Sequence, residues 1–265
     1  MRNLDISGSS RVSSGRRIFL IGNGPSLAWT PLDLLIGEES WGMARVHLIY
    51  GSTQWRPTRY WWSDHPQNAQ DMADVLWHME QGYPCWYRSD VCQIITGEYK
   101  PAGGWAPEPR ELPQHVHPWR YCIEHNAGLI RDPRTGGVDL RRPAGWHLGD
   151  GVLCKYGSGL NPMLQQAYLE GYSPIYLVGV DLGFQESTLE HDPNHFTAAY
   201  HSRAVEPERA AVDNDTHVDF HGHAREWCAP RGVHIYNATL GGSLEVFPRV
   251  DLLEVLGGRK EHLDR

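Results

Sequence analysis

Lysine is almost missing from this chain. Lys100, Lys155 and Lys260 are all there are, and arginine carries the rest of the 24 basic residues. Against 32 acidic residues they leave a formal net charge of −8, which argues against a broad nonspecific grip on nucleic acid and leaves room only for a local basic groove. Cys85, Cys92, Cys122, Cys154 and Cys228 are odd in number and form no C-x-x-C pair, so neither a disulfide framework nor a zinc knuckle is indicated and a reducing compartment fits. No apolar run approaches the roughly 20 residues of a membrane span, so no membrane partner is expected. Residues 1–16, rich in Ser, Gly and Arg, lack the apolar stretch of a secretion signal and read as a flexible tail on a cytoplasmic protein.

Three motifs are missing as well. After Gly22 and Gly24, Leu27 stands where the third glycine of G-x-G-x-x-G belongs, and no Gly-Lys-Ser/Thr follows to make a Walker loop. G-x-S-x-G is absent, since Gly157-Ser158-Gly159 has the wrong spacing, so nothing points to a serine nucleophile.

What is present begins at Arg17. Ile18-Phe19-Leu20-Ile21 is a short apolar run bounded by Arg-Arg and Gly-Asn-Gly, the pattern of a strand buried on both faces. Gly22 and Gly24 suit a tight turn with close backbone approach, and Pro25 and Ser26 suit a helix start. Strand, glycine turn and helix start predict outward amides at Gly22, Asn23, Gly24 and Ser26 that would hold a phosphate or ribose; the alternative is a tight turn without a ligand.

With 265 residues and 40% hydrophobic content the chain can bury a full core. Strands are expected at 46–50, 59–64, 84–87 and 91–95, and helices at 31–36 and around Met72, Val75, Leu76 and Met79. Over 97–149 periodicity is lost and Pro and Gly are dense, which reads as an inserted lid or acceptor-binding segment. Order returns with a helical stripe at Leu160, Met163, Leu164, Ala167 and Tyr168 that ends at Gly171, a strand over 175–181, a helix before Gly232, a last strand over 233–236 and a short helix over 250–256. The alternation predicts an α/β fold: a Rossmann-like, mostly parallel doubly wound sheet over 17–265.

Asp64 and Asp181 close two expected strands, and ligands of open parallel sheets sit beyond that edge. Asp181 equally suits a cap or turn. His195 and His201 lie in the loop after the Asp181 strand, where an imidazole can take a proton from an acceptor hydroxyl or simply sit in solvent. His217 and His221 have the spacing of H-E-x-x-H zinc ligands without its glutamate, so a solvated polar helix face is expected there and no metal ligand is assigned.

Three stretches in this order resemble a known family pattern. Ile21-Gly-Asn-Gly-Pro-Ser-Leu27 is similar to the nucleotide-binding loop of bacterial single-domain sialyltransferases and the Maf-type motility-accessory glycosyltransferases. Ser158-Gly159, with Gly171-Tyr172 and Ile175 through Leu182, resembles their second signature, and Tyr236-Asn-Ala-Thr-Leu-Gly-Gly242 with Asp251 to Leu256 resembles the Maf-type ending. The resemblance implies a nucleotide-sugar glycosyltransferase, CMP- or UDP-type, with no tightly bound cofactor. It places Gly22, Asn23, Gly24, Pro25 and Ser26 on the nucleotide or departing phosphate and Ser158 and Gly159 on the ribose or base. His201 becomes the base, with His195 in reserve. The acceptor, a glycan, protein, metabolite or modified nucleobase, stays open. The same superfamily contains 6-hydroxymethylpterin diphosphokinase-like proteins, which implies a second expectation: Mg²⁺-dependent diphosphate transfer with Asp64 or Asp181 as ligands. A noncatalytic nucleotide-binding module is the third.

Overall fold

Strand β1 (Ile18–Ile21) is apolar and fully buried at every position, which only a strand covered on both faces accommodates. The computed structural model describes residues 15–121, 146, 152–155, 157–188, 190–200 and 205–257. Here β1 pairs in parallel with β2 (Ser40–Met43) on one side and β7 (Ile175–Val178) on the other. The sheet continues past β2 through β3 (Arg59–Trp62), β4 (Cys85–Arg88), β5 (Val116–Tyr121) and β6 (Val152–Leu153), and past β7 to β8 (Ile235–Asn237). Among the described residues the eight strands pair in parallel, in the order β6-β5-β4-β3-β2-β1-β7-β8. The chain thus walks outward from β1 in one direction and returns to its other side. That reversal puts the topological switch point between β1 and β7, where the carboxyl ends of an open parallel sheet leave a crevice.

Alternate residues of β1 feed two cores. Ile18 and Leu20 pack with α3 (Leu160–Leu169) and α4 (Pro207–Cys228), and Phe19 and Ile21 pack with α1 (Ala69–Glu80), α2 (Ser89–Thr96) and α5 (Leu252–Val255). The fold is α/β and doubly wound, as expected. On the first face Trp41, Trp61 and Trp86 stack across β2, β3 and β4 at centroid spacings of 6.3 and 6.1 Å, with Trp119 of β5 5.6 Å from Trp61.

Two local expectations are corrected. Residues 46–50 form no strand: Val46–Ile49 is a 3-10 turn, and the strand is Ser40–Met43, which carries too few apolar residues to stand out. Residues 91–95 are helical, in α2; Val91, Ile94 and Ile95 recur at i, i+3 and i+4, and Gly97 ends the helix in the left-handed conformation at φ 81°. Within 97–149, strand β5 belongs to the sheet and Trp105 and Leu112 pack against the second core; residues 122–145 and 147–149 lie outside the described residues, as do residues 1–14 of the tail expected over 1–16.

Candidate functional site

The crevice at the switch point holds a cavity of about 370 Å³. Its walls come from the turn after β1, the end of β2, the start of α3, the segment following β7, the 193–200 loop, α4 and Gly242-Ser243.

The turn after β1 is held by the protein itself. Gly22 N–H donates to the Val178 carbonyl and Gly24 N–H to the Gly179 carbonyl, each at 2.8 Å. Ser26 N–H donates to Asp181 Oδ1 at 3.1 Å and Ser26 Oγ to Asp181 Oδ2 at 2.8 Å. The expectation that the Gly22, Gly24 and Ser26 amides face a ligand is corrected: backbone carbonyls take the first two, and the carboxylate of Asp181, just beyond β7, takes the third. The glycines are explained by the same packing. A Cβ on Gly24 would lie 2.0 Å from Asp181 Oδ2, and one on Gly22 would lie 2.5 Å from the Gly179 carbonyl. Burial raises the Asp181 carboxyl above its ordinary range, against the lowering effect of the Ser26 bonds.

The Asn-Ala-Thr-Leu-Gly-Gly stretch closes on the far side of Asp181. Thr239 Oγ1 accepts from Val180 N–H at 3.0 Å, Ser243 N–H donates to the Asp181 carbonyl at 2.6 Å, and Asn237 Nδ2 donates to the Leu244 carbonyl at 2.8 Å. Gly242 has φ +72°, and a Cβ there would meet the Asp181 backbone at 2.6 Å. Arg249 ties the turn with bonds to the Gly241 and Gly242 carbonyls at 2.6 and 2.9 Å.

The loop ending at Tyr200 is organised differently. His195 Nδ1 lies 2.9 Å from Oδ2 of the buried Asp192, so the imidazole donates from that nitrogen. The His195 ring stacks on Tyr200 at a centroid distance of 3.9 Å and 7°. Tyr200 is fixed at both ends: its hydroxyl accepts from Asn23 Nδ2 at 3.0 Å, and its carbonyl accepts from Arg45 Nη1 at 2.7 Å. Arg45 is itself buried between Asp71 (2.9 Å) and Asp74 (2.8 Å) of α1. Asn23 Oδ1 is buried without a hydrogen-bond partner.

The structure therefore gathers Gly22, Asn23, Gly24, Pro25, Ser158, Asp181 and His195 around one cavity. Ser158 Oγ accepts from Leu160 N–H at 3.2 Å, one residue ahead of Gly159, the N-cap of α3. Ser26 and Gly159 sit behind the lining; a Cβ on Gly159 would meet Met43 Cε at 2.6 Å. Asp64 is not brought to the cavity: it is well exposed and pairs with Lys155 Nζ at 2.7 Å. His201 lies outside the described residues.

Comparison with known families settles nothing further. The chain matches no family model, and no curated protein or solved structure is significantly similar to it.

Four residues of the site went unassigned in the sequence: Arg45, Asp192, Tyr200 and His217. Asp192 had a local signal, three positions before His195; Arg45 and Tyr200 had none, since they meet only through the fold. His217 corrects another expectation. The His217–His221 face of α4 is turned inward: His217 lines the cavity, and His221 is 1% exposed with neither ring nitrogen partnered. Burial lowers His217 to about 4 and holds His221 well below its ordinary value, so both are neutral near pH 7. Among the described residues no group of three or more His, Cys, Asp or Glu side chains is placed to hold a metal ion, and no helix is long and apolar enough to cross a membrane.

Proposed function

We propose that this chain is a glycosyltransferase that moves a sugar from a nucleotide-sugar donor to an acceptor hydroxyl, with His195 as general base. One observation carries the reading: an Asp192-oriented imidazole lining a cavity at the switch point of a doubly wound parallel sheet. With Nδ1–H held on Asp192, Nε2 is the basic nitrogen, and the carboxylate stabilises the imidazolium that forms as the acceptor loses its proton. His195 takes the role of base here as the described candidate that has an orienting partner and a place at the cavity. The resemblance of the three sequence stretches supplies the donor class.

The electrostatics favour a leaving group of low charge. No lysine or arginine is among the described lining residues, and the Gly22, Gly24 and Ser26 amides are already bonded. That supports a nucleoside-monophosphate donor, CMP-type, over a UDP-type one, whose diphosphate would meet no cationic side chain among the described lining residues. Asn23 Oδ1 offers an unused acceptor for a ligand hydroxyl or amine. The diphosphokinase reading asked for Asp64 or Asp181 as Mg²⁺ ligands; Asp64 is bound to Lys155 away from the cavity, and Asp181 is bonded to Ser26.

Thermal shift with CMP, UDP, GDP and ATP, each with and without Mg²⁺, tests the reading. A ligand at a hundredfold its Kd adds about 2.7 kcal/mol. Stabilisation by CMP without metal is expected. Stabilisation by ATP alone, and only with Mg²⁺, would replace the transferase with the kinase.

A further inference from the structure

Two imidazoles of α4, His217 at the cavity and His221 behind it, sit among phenylalanines and call for an explanation. His217 packs edge-on to Phe184 at 4.8 Å and 72° and to Phe220 at 5.2 Å and 64°, so its ring plane is fixed by apolar neighbours. Among the described residues no group hydrogen-bonds to either of its nitrogens, and the residue, partly buried, lines the cavity. One turn further along α4, with ring centroids 6.5 Å apart, His221 packs against Phe220 and Phe247 with both nitrogens unpartnered. Buried polar groups in native proteins are almost always hydrogen-bonded, and exceptions mark places where something other than the protein completes the site. A leucine or phenylalanine would fill either position without leaving polar atoms unmet.

We infer that His217 is a ligand-reading residue that hydrogen-bonds to an uncharged hydroxyl of the ligand's sugar, an inference that rests on the nucleotide-sugar reading above. The chemistry of the ring decides the class. A neutral imidazole offers one donor and one acceptor, which matches a hydroxyl, itself both donor and acceptor. A phosphate or carboxylate would be served better by a cation, and it would share the cavity with Asp181. The apolar faces of Phe184, Leu160 and Leu182 in the same lining suit the carbon skeleton of a sugar ring, with a few polar atoms setting its orientation. The hydroxyl belongs either to the ribose of the nucleotide or to the sugar being transferred.

Calorimetric titration of wild type, His217→Phe and His217→Gln with CMP, UDP, CMP-N-acetylneuraminate and UDP-glucose separates the outcomes. His217→Phe keeps an aromatic ring and removes both nitrogens, so it should weaken binding roughly 10–100-fold, and His217→Gln should recover most of that loss. A loss already present with the free nucleotide assigns the ribose; a loss confined to the sugar-bearing donor assigns the transferred sugar. Unchanged affinity of His217→Phe for every probe overturns the inference and leaves the nucleotide-sugar reading standing. Wild-type protein that binds none of the four overturns both. Should His217→Phe not fold, the ring ¹⁵N resonances of His217 in wild type decide: they shift on saturation with a bound probe, and unmoved resonances overturn the inference.

Discussion

The turn after β1 and the wall formed by the 193–200 loop and α4 meet in one cavity yet treat their polar groups in opposite ways. In the turn, Gly22, Gly24 and Ser26 have given their amides to the strand β7 and its continuation, and Asp181 supplies the anion. On the wall side, Asn23 Oδ1 at the turn's edge and both nitrogens of His221, behind the lining residue His217, are buried without a hydrogen-bond partner among the described residues. The glycine motif that marks the site in the sequence therefore also serves assembly, its Gly22, Gly24 and Ser26 amides being spent within the protein while Gly22, Asn23, Gly24 and Pro25 line the cavity. A missing Cβ shows that something approaches closely; it does not show whether that is a ligand or the protein's own carboxylate.

The largest test of this contrast is catalytic. His195→Ala is expected to lower turnover by about 10²–10⁴-fold with donor affinity nearly intact, and Asp192→Asn to lower it by less, since Asp192 acts through the ring. Steady-state kinetics with an active donor measures both. If His201→Ala has the larger effect, the base moves to His201; if neither matters, histidine leaves the mechanism.

Next in size is the turn itself. Gly24→Ala puts a methyl group 2.0 Å from Asp181 Oδ2 and should cost about 3 kcal/mol in urea unfolding, with part recovered in the double variant with Asp181→Ala. Full stability of Gly24→Ala would mean that the turn is open enough to hold a ligand after all.

A third test reads the wall through pH. The His217, His221 and His78 imidazoles are all lowered by burial, His78 to about 2 and His217 to about 4. Between those values and the ordinary histidine value of about 6.5, the unfolded chain binds protons that the folded chain does not. Stability therefore falls as pH drops below about 6.5. His221→Phe should remove part of the loss between pH 7.5 and pH 5, seen as a flatter profile of unfolding free energy. An unchanged profile would show that His221 is charged in the folded state and therefore partnered.

The smallest expected effect is at Asp64. Its pair with Lys155 is exposed on the Asp64 side, so Asp64→Asn should change stability by less than about 0.5 kcal/mol and leave turnover unchanged. A large loss of turnover would return Asp64 to the site and favour the diphosphokinase reading.

Much of the fold was legible because period and punctuation agree. The apolar runs at β1 and β7, the helical stripe of α3 and the left-handed Gly171 that follows it need no tertiary information. Strand β2 was not legible, since Ser40-Trp-Gly-Met43 becomes a strand only because β1 and β3 flank it. In α2, a short apolar run fitted either period, and the neighbouring sheet decided it.

The sequence alone determined that a buried strand would run into a glycine turn, that a second apolar strand would end in Asp181, and that an α/β sheet would align them. Those are local properties: side-chain periodicity, missing Cβ atoms, fixed proline φ. Only the tertiary structure decided what fills the turn, because the distance between Ser26 and Asp181, 155 residues apart, depends on β7 returning to the side of β1. It likewise decided that Arg45 reaches the carbonyl of Tyr200 and that His217 faces inward. Hydrogen-bond satisfaction is a property of neighbours in space, and neighbours in space are what a one-dimensional pattern leaves unspecified.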